Sequence, residues 1–246
     1  MITKVVPGQL VATVDPADAA REAAVRIAKS LRDAIARRGN ATLALSGGNT
    51  PRDAYGRLAE QPGVEWSKLE VFWVDERAVP PTDDRSNYKW AKATLLDKVG
   101  IPESRVHRMP GDAADLDEAA RGYEALLRTN VGPQGSAPAL DLVVLGVGED
   151  GHTASLFPGE GTVEIADRLV VAVPASPGRE ARLTLTAPVL ENARHAFVLA
   201  VGKAKSPALE RVWAASGSLS DTPARVIRGI RGGVTWVIDR AAGGMS

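Results

Sequence analysis

Three short segments of this 246-residue sequence combine glycines with polar or charged side chains: Ser46-Gly47-Gly48-Asn49-Thr50-Pro51, Asp75-Glu76-Arg77 and Gly146-Val147-Gly148-Glu149-Asp150-Gly151-His152. The third carries the most chemistry. An imidazole titrates near neutrality and takes a proton from water, and a carboxylate two residues away, Asp150, sets its tautomer and holds its orientation. The glycines permit a sharp turn and leave Asp150 and His152 projecting from bare backbone. In the first segment, paired glycines let backbone N–H groups approach an anion. A helix starting at Thr50-Pro51, with Thr50 as its cap, adds unpaired donors and positive dipole. Ser46, Asn49 and Thr50 add side-chain donors, although a plain strand-to-helix turn reads the same way. In the second, Asp75 suits a sugar hydroxyl or a moving proton and Arg77 a carboxylate or phosphate; a salt-bridged loop has the same composition. The polar run Asp83 to Tyr88 is either a lid or a solvated loop.

Other chemistries find little support. There are no cysteines, which removes disulfides, thiolate zinc sites and cysteine nucleophiles together. The chain has three histidines, and His107 (expected in a strand) and His195 (expected in a loop before one) stand in contexts unrelated to His152, so no ligand cluster has metal spacing. Both are read as structural or surface residues. The segment Ser46 to Pro51 is neither a P-loop nor the Gly-x-Gly-x-x-Gly dinucleotide fingerprint, no Gly-x-Ser-x-Gly elbow is present, and Ser155 lacks the strained turn a nucleophile needs. Formal net charge is zero, so no global field recruits nucleic acid or an anionic membrane, and a locally basic pocket remains compatible with that balance. No run approaches the ~20 apolar residues of a membrane-spanning helix, and Met1 to Asp15 lacks the pattern of a secretion signal. The expectation is a soluble, cytoplasmic protein; no exposed apolar stripe is evident, which favours a monomer.

The elements that must position these segments follow from periodicity. A helix is expected from Pro16 to Arg38, capped by Asp15, stopped by Gly39 and apolar at Ala20, Ala24, Ile27, Leu31 and Ile35. Ala41 to Leu45 reads as a buried strand that ends on the first segment. Leu69 to Val74 reads as a strand broken by Asp75-Glu76-Arg77, followed by a helix from Asn87 to Lys98. A helix over Asp115 to Asn130 leads through a surface loop, Gly132 to Ala139, into a strand over Leu140 to Leu145. Further strands are expected at Leu169 to Val173, Arg182 to Leu185, Ala196 to Val201 and Val234 to Ile238, with a helix over Ser206 to Ala214. Alternating strands and helices predict a mostly parallel α/β sheet flanked by helices on both faces, in a single domain over residues 1–246. In such sheets ligands bind beyond the carboxyl ends of the strands, which is where all three segments fall.

Taken together, the segments resemble the 6-phosphogluconolactonase family. The resemblance is carried by Leu45-Ser46-Gly47-Gly48-Asn49-Thr50-Pro51, by Phe72-Trp73-Val74-Asp75-Glu76-Arg77 with Ser86-Asn87-Tyr88, and by Leu145 to Pro158, which contains Asp150-Gly151-His152-Thr153-Ala154-Ser155-Leu156-Phe157. Arg182-Leu183-Thr184-Leu185-Thr186 and Gly202-Lys203-Ala204-Lys205 look like the family's later blocks, so the likeness runs end to end. The related glucosamine-6-phosphate deaminases share the first and third segments, but carry tyrosine where this chain has Arg77 and a catalytic glutamate where it has Phe157.

The resemblance implies a Rossmann-like, glucosamine-6-phosphate deaminase-like fold. It also implies hydrolysis of 6-phospho-D-glucono-1,5-lactone to 6-phospho-D-gluconate in the oxidative pentose phosphate pathway, with no cofactor and a sugar-phosphate lactone as the only partner. Such a reaction needs a positioned water, one base and stabilisation of an oxyanion. His152 is the candidate base for water and the later donor to the ring oxygen; Asp150 and Asp75 complete the catalytic candidates. Backbone N–H groups of the glycine loops are candidate oxyanion donors. The candidate substrate and phosphate contacts are Ser46, Gly47, Gly48, Asn49, Thr50, Arg77, Asn87, Gly151, Arg182 and Lys205. Which of the cations holds the phosphate, and how Asp75 and Asp150 divide their roles, stay open. Aldose–ketose isomerisation of the deaminase type, or non-catalytic sensing of a sugar phosphate, are the alternative functions.

Overall fold

The computed structural model describes residues 6–134 and 137–245, so the first five residues of the reading of Met1 to Asp15 lie outside it. The chain runs β1 (Gln9–Thr13), α1 (Pro16–Arg38), β2 (Ala41–Leu45), α2 (Asn49–Leu58), β3 (Leu69–Trp73), β4 (Asp75–Arg77), α3 (Asn87–Thr94) and α4 (Leu116–Val131). It continues through β5 (Pro133–Gln134), β6 (Ala137–Pro138), β7 (Leu142–Gly146), β8 (Val170–Val173), β9 (Arg182–Leu185), α5 (Ala187–Glu191), β10 (Ala196–Ala200), α6 (Ser206–Trp213) and β11 (Val234–Asp239). Helix α1 forms as its sequence dictates. Asp15 accepts from the Asp18 N–H at 2.8 Å, Pro16 takes the first helical position and Gly39 ends the helix at φ 81°. Its buried face is mostly alanine, with Ile27, Leu31 and Ile35, so the helix lies close against the sheet.

Six strands form a parallel sheet in the order β3-β2-β7-β10-β11-β1. Every residue of β2, β10 and β11 is buried. Successive side chains point to opposite faces, so both faces are covered and chemistry is confined to the strand ends. From β2 the chain steps outward to β3, then returns on the other side of β2 to form β7. The switch point of the sheet therefore lies between β2 and β7, where the loops after these strands part and leave a crevice. Those loops are Ser46 to Gly48 and Val147 to His152.

Several features differ from the sequence reading, among them the helix expected to reach Lys98, which ends at Thr94, and the unforeseen β1 and α5. Asp75–Arg77 is not a break but a short strand, and β4, β9 and β8 form a separate antiparallel sheet. Val74 joins the two sheets: its N–H donates to Leu45 O at 2.9 Å in the parallel sheet, and its carbonyl accepts from Leu185 N at 2.8 Å in the antiparallel one. Helix α2 starts at Asn49 with Gly48 in the cap position, so Pro51 sits third and Thr50 is not the cap. The described part of the loop Gly132 to Ala139 contains a two-strand hairpin, β5–β6; residues 135 and 136 lie outside the described residues. Among the described residues no helix is long and apolar enough to cross a membrane.

Tyr55, buried on α2, pins the start of the first glycine loop. Its hydroxyl accepts from Ser46 N–H and donates to Ser46 O, each at 3.0 Å. Tyr55→Phe leaves both buried backbone groups unpaired and is expected to cost about 1–3 kcal/mol in urea unfolding. The same variant should weaken substrate binding, because the loop loses its anchor.

Candidate active site

The turn after β7 folds back on itself. Gly148 N–H donates to His152 O at 2.8 Å and Gly151 N–H donates to Gly148 O at 3.0 Å. This brings His152 Nδ1 to 2.6 Å from Asp150 Oδ1, which also accepts from His152 N–H at 3.0 Å. The pair lies directly over Gly148: a Cβ there would fall 2.1 Å from His152 Nδ1 and 2.5 Å from Asp150 Oδ1. Burial works to raise the Asp150 pKa, but the hydrogen bonds from the His152 ring and N–H outweigh it and bring it down to about 2. Its carboxylate thus contributes to folding above its ordinary 3.8, a contribution lost as the pH falls towards 2. An ionised Asp150 only accepts, so Nδ1 carries the proton and Nε2 is the basic nitrogen.

The turn is braced from behind. Arg211 Nη2 donates to Glu149 O at 3.0 Å, and Ala224 N–H donates to Gly151 O at 2.9 Å. Gly151 is accordingly spent on the turn and lies outside the lining of the cavity described below. The N–H groups of Gly148 and Gly151 are also spent, so the expected oxyanion donors do not come from these two glycines.

Asp75, buried at 6 % exposure, is held on both oxygens: Oδ1 accepts from Asn87 Nδ2 at 3.2 Å and Oδ2 accepts from the Ser155 hydroxyl at 2.6 Å. Ser155 is fully buried and serves Asp75, in keeping with its not being read as a nucleophile. Asn87 reaches across to the first loop, where a Cβ on Gly47 would sit 1.8 Å from Asn87 Oδ1. Glu76 was passed over in the sequence, yet it fixes this region. Its buried carboxylate accepts from the N–H groups of Arg77 (2.7 Å), Asn87 (2.8 Å) and Tyr88 (2.8 Å), and from Ser86 Oγ (3.0 Å). Burial pushes its pKa up, against the pull of these donors.

The two loops, β4, β9 and the segment after β10 enclose a cavity of about 280 Å³. Its lining includes Ser46 to Pro51, Asp75, Arg77, Asn87, His152, Phe157, Arg182 and Lys205. Arg77 and Arg182 are paired residues across the β4–β9 ladder. The Nε atoms of both are buried without a hydrogen-bond partner. Burial pushes the Arg182 pKa below the usual guanidinium value; Asp75 opposes that and Arg77 adds to it. Lys205 is positioned from β11, since Asp239 accepts from Gly202 N–H at 3.0 and 3.1 Å and so fixes the turn leading to it. Phe157 lies against the His152 ring (centroids 4.8 Å apart) and under the Arg179 guanidinium (3.7 Å).

The other histidines stand elsewhere. His107 follows an isolated bridge and not a strand as expected, stacks on Phe72 and meets Glu70 at 2.6 Å. His195 precedes β10 and contacts Thr235 Oγ1 at 2.9 Å. Among the described residues, no group of three or more histidine, aspartate or glutamate side chains is placed to hold a metal ion.

The site thus joins a histidine–aspartate pair at the switch point of a doubly wound sheet to facing arginines on the adjoining antiparallel sheet. The chain belongs to the glucosamine-6-phosphate isomerase/6-phosphogluconolactonase family, whose model matches residues 14–236. The 6-phosphogluconolactonase of Synechocystis sp. is 41 % identical over 222 residues, covering 90 % of this chain and 91 % of the relative. The solved 6-phosphogluconolactonase from Trypanosoma cruzi superposes with a TM-score of 0.86 at 28 % identity, covering 99 % of this chain and 98 % of its own. A monomeric glucosamine-6-phosphate deaminase shares the fold, with a TM-score of 0.80 at 22 % identity, covering 97 % of this chain and all of its own.

Because the pair packs on Gly148, Gly148→Ala is expected to displace it and lower turnover by about 10²-fold, the cost of roughly 1 Å of misplacement. Circular dichroism should show an unchanged fold.

Proposed function

We propose that the chain hydrolyses 6-phospho-D-glucono-1,5-lactone to 6-phospho-D-gluconate, a step of the oxidative pentose phosphate pathway. This makes it a carboxylic ester hydrolase acting on a lactone, working as one α/β domain over residues 1–246; the contiguous apolar core from α1 to β11 supports that extent. The observation that carries the reading is the 2.6 Å contact of His152 with Asp150, which reserves Nε2 for the substrate side. His152 takes a proton from water as the water oxygen bonds to the lactone carbonyl carbon. As the tetrahedral intermediate collapses, the bond from that carbon to the ring oxygen breaks, and the same proton passes from Nε2 to the ring oxygen. Asp150 stays ionised throughout, orients the ring and stabilises the transient imidazolium.

Two guanidiniums held at paired strand positions repel each other. The fold tolerates this arrangement where a dianion is to be bound, so Arg77 and Arg182 are the proposed phosphate ligands, with Lys205 closing the site. Their remote binding energy holds the carbonyl beside His152. The oxyanion role passes to the backbone at the start of α2, Gly47 to Thr50, because Gly148 and Gly151 have spent their donors. Asp75, held by Ser155 and Asn87, is fixed to accept a sugar hydroxyl. Phe157, an apolar ring beside the imidazole, offers no second acid for opening an aldose ring.

His152→Ala is expected to lower kcat by ~10²- to 10⁴-fold, after correction for the spontaneous reaction, with the fold retained by circular dichroism and melting lowered modestly by loss of the Asp150 contact. An unaltered rate would remove His152 from the mechanism. Ammonia release from glucosamine 6-phosphate, tested on the same preparation, should be absent; its appearance without lactone turnover would favour the deaminase reading.

A further inference from the structure

The arginine pair is bordered by a third arginine and a carboxylate that the proposed mechanism does not use. Arg85 lies on the loop between β4 and α3. Its Nε and Nη2 fork onto the two oxygens of Asp83 at 2.9 and 2.8 Å, and its Nη1 donates to Glu180 Oε1 at 2.7 Å. The Arg85 carbonyl accepts from Arg77 Nη1. Glu180 stands just before β9, and its Oε2 lies 3.7 Å from Arg182 Nη2. That distance leaves Coulomb attraction but is too long for a hydrogen bond. Glu180 is thus bonded to one guanidinium and turned toward another. Asp75, the other carboxylate acting on Arg182, has no such freedom, because Ser155 and Asn87 hold both of its oxygens.

We propose that Glu180 is an internal counter-ion for Arg182, and that Arg85 holds it back so that a substrate phosphate can take the guanidinium. The proposal rests on reading Arg182 as a phosphate ligand. Without any counter-ion, the facing Arg77 and Arg182 would stand half-buried and uncompensated. With Glu180 forked fully onto Arg182, an incoming phosphate would have to break a bidentate pair. The Arg85 contact fixes an intermediate state: Arg85 is itself clamped by Asp83, so the carboxylate it grips stays one step short of Arg182. Glu180 and Arg85 are therefore positioning residues for the anion end of the cavity, remote from the proton transfer at His152.

The test is titration calorimetry of the full chain with inorganic phosphate at fixed pH and ionic strength, comparing Glu180→Gln, Arg85→Ala, the double variant and Arg182→Ala. Glu180→Gln should tighten phosphate binding about two- to fivefold, the range for a partly exposed ion pair. Arg85→Ala should weaken it by a similar factor, because the released carboxylate swings onto Arg182. The double variant should match Glu180→Gln, since no carboxylate remains to be restrained; a loop merely loosened by loss of Arg85 would not be rescued in this way. Single variants that shift binding in the same direction, or leave it unchanged, overturn the proposal. Arg182→Ala probes the reading beneath it, with an expected loss of about tenfold or more. Unchanged binding in Arg182→Ala overturns the phosphate assignment itself. A loss there, with both single variants flat, sinks the counter-ion alone.

Discussion

Glu76 is a carboxylate at 2 % exposure, and a charge placed there is tolerated only because four donors converge on it. Two of those donors are the N–H groups of Asn87 and Tyr88, the first residues of α3, where the helix dipole also favours negative charge. The carboxylate therefore sets where α3 begins. Asn87 is placed by it, and Asn87 in turn donates to the backbone and side chain of Asp75 and packs on Gly47. One buried charge thus ties the loop after β2 to the strand after β3, and the wall of the cavity follows from that tie.

The two acidic residues beside the cavity are given different tasks by different surroundings. Asp150 is partly exposed and bonded to a histidine, and the hydrogen bonds from that histidine overcome the burial that would otherwise raise its pKa. It remains an anion, and an anion at Nδ1 fixes the imidazole tautomer. Asp75 is dry and held by a hydroxyl and an amide, so it is a rigid acceptor with no imidazole to serve. Their neighbours differ: Ser155 and Asn87 hold Asp75, and His152 holds Asp150.

Much of this was legible in the residues. The strands that are apolar throughout, such as Ala41–Leu45 and Ala196–Ala200, announce themselves because both of their faces are covered. The ends of α1 were readable from Asp15, Pro16 and Gly39, since capping is a local interaction. What was not readable depends on partners far away in the chain. Asp75–Arg77 looks like a loop until Arg182–Thr184 is laid beside it, and nothing within three polar residues signals that pairing. Strand β1 was missed because it is an edge strand with mostly exposed residues, so it lacks the apolar run that marks its inner neighbours. Gly151 adjoins His152 in the sequence, and nothing local signals that its N–H and carbonyl are bonded to Gly148 O and Ala224 N–H. The tasks of Asp239 and Ser155 carried no local signal, because the groups their side chains hold, Gly202 N–H in one case and Asp75 in the other, lie far along the chain.

The placement of charge separates what the fold spends on binding from what it spends on chemistry. In the proposed mechanism a histidine–aspartate pair on a glycine turn suffices as the catalytic device, because an ester carbonyl in a lactone ring is already an electrophile and no second acid is needed. The costly arrangement lies at the other set of groups, where Arg77 and Arg182 face each other with buried, unpartnered Nε atoms. An anion bound there, as proposed, would relieve that repulsion, so binding at this end would be favourable before any chemistry begins. Such energy helps catalysis only if the anion and the carbonyl are held in fixed relation. Val74 meets that requirement: hydrogen-bonded to Leu45 on one side and Leu185 on the other, it locks the sheet that carries the arginines to the sheet that carries the histidine turn. In the proposed reaction, that joint between the two sheets is what would let binding at the arginines be felt at His152.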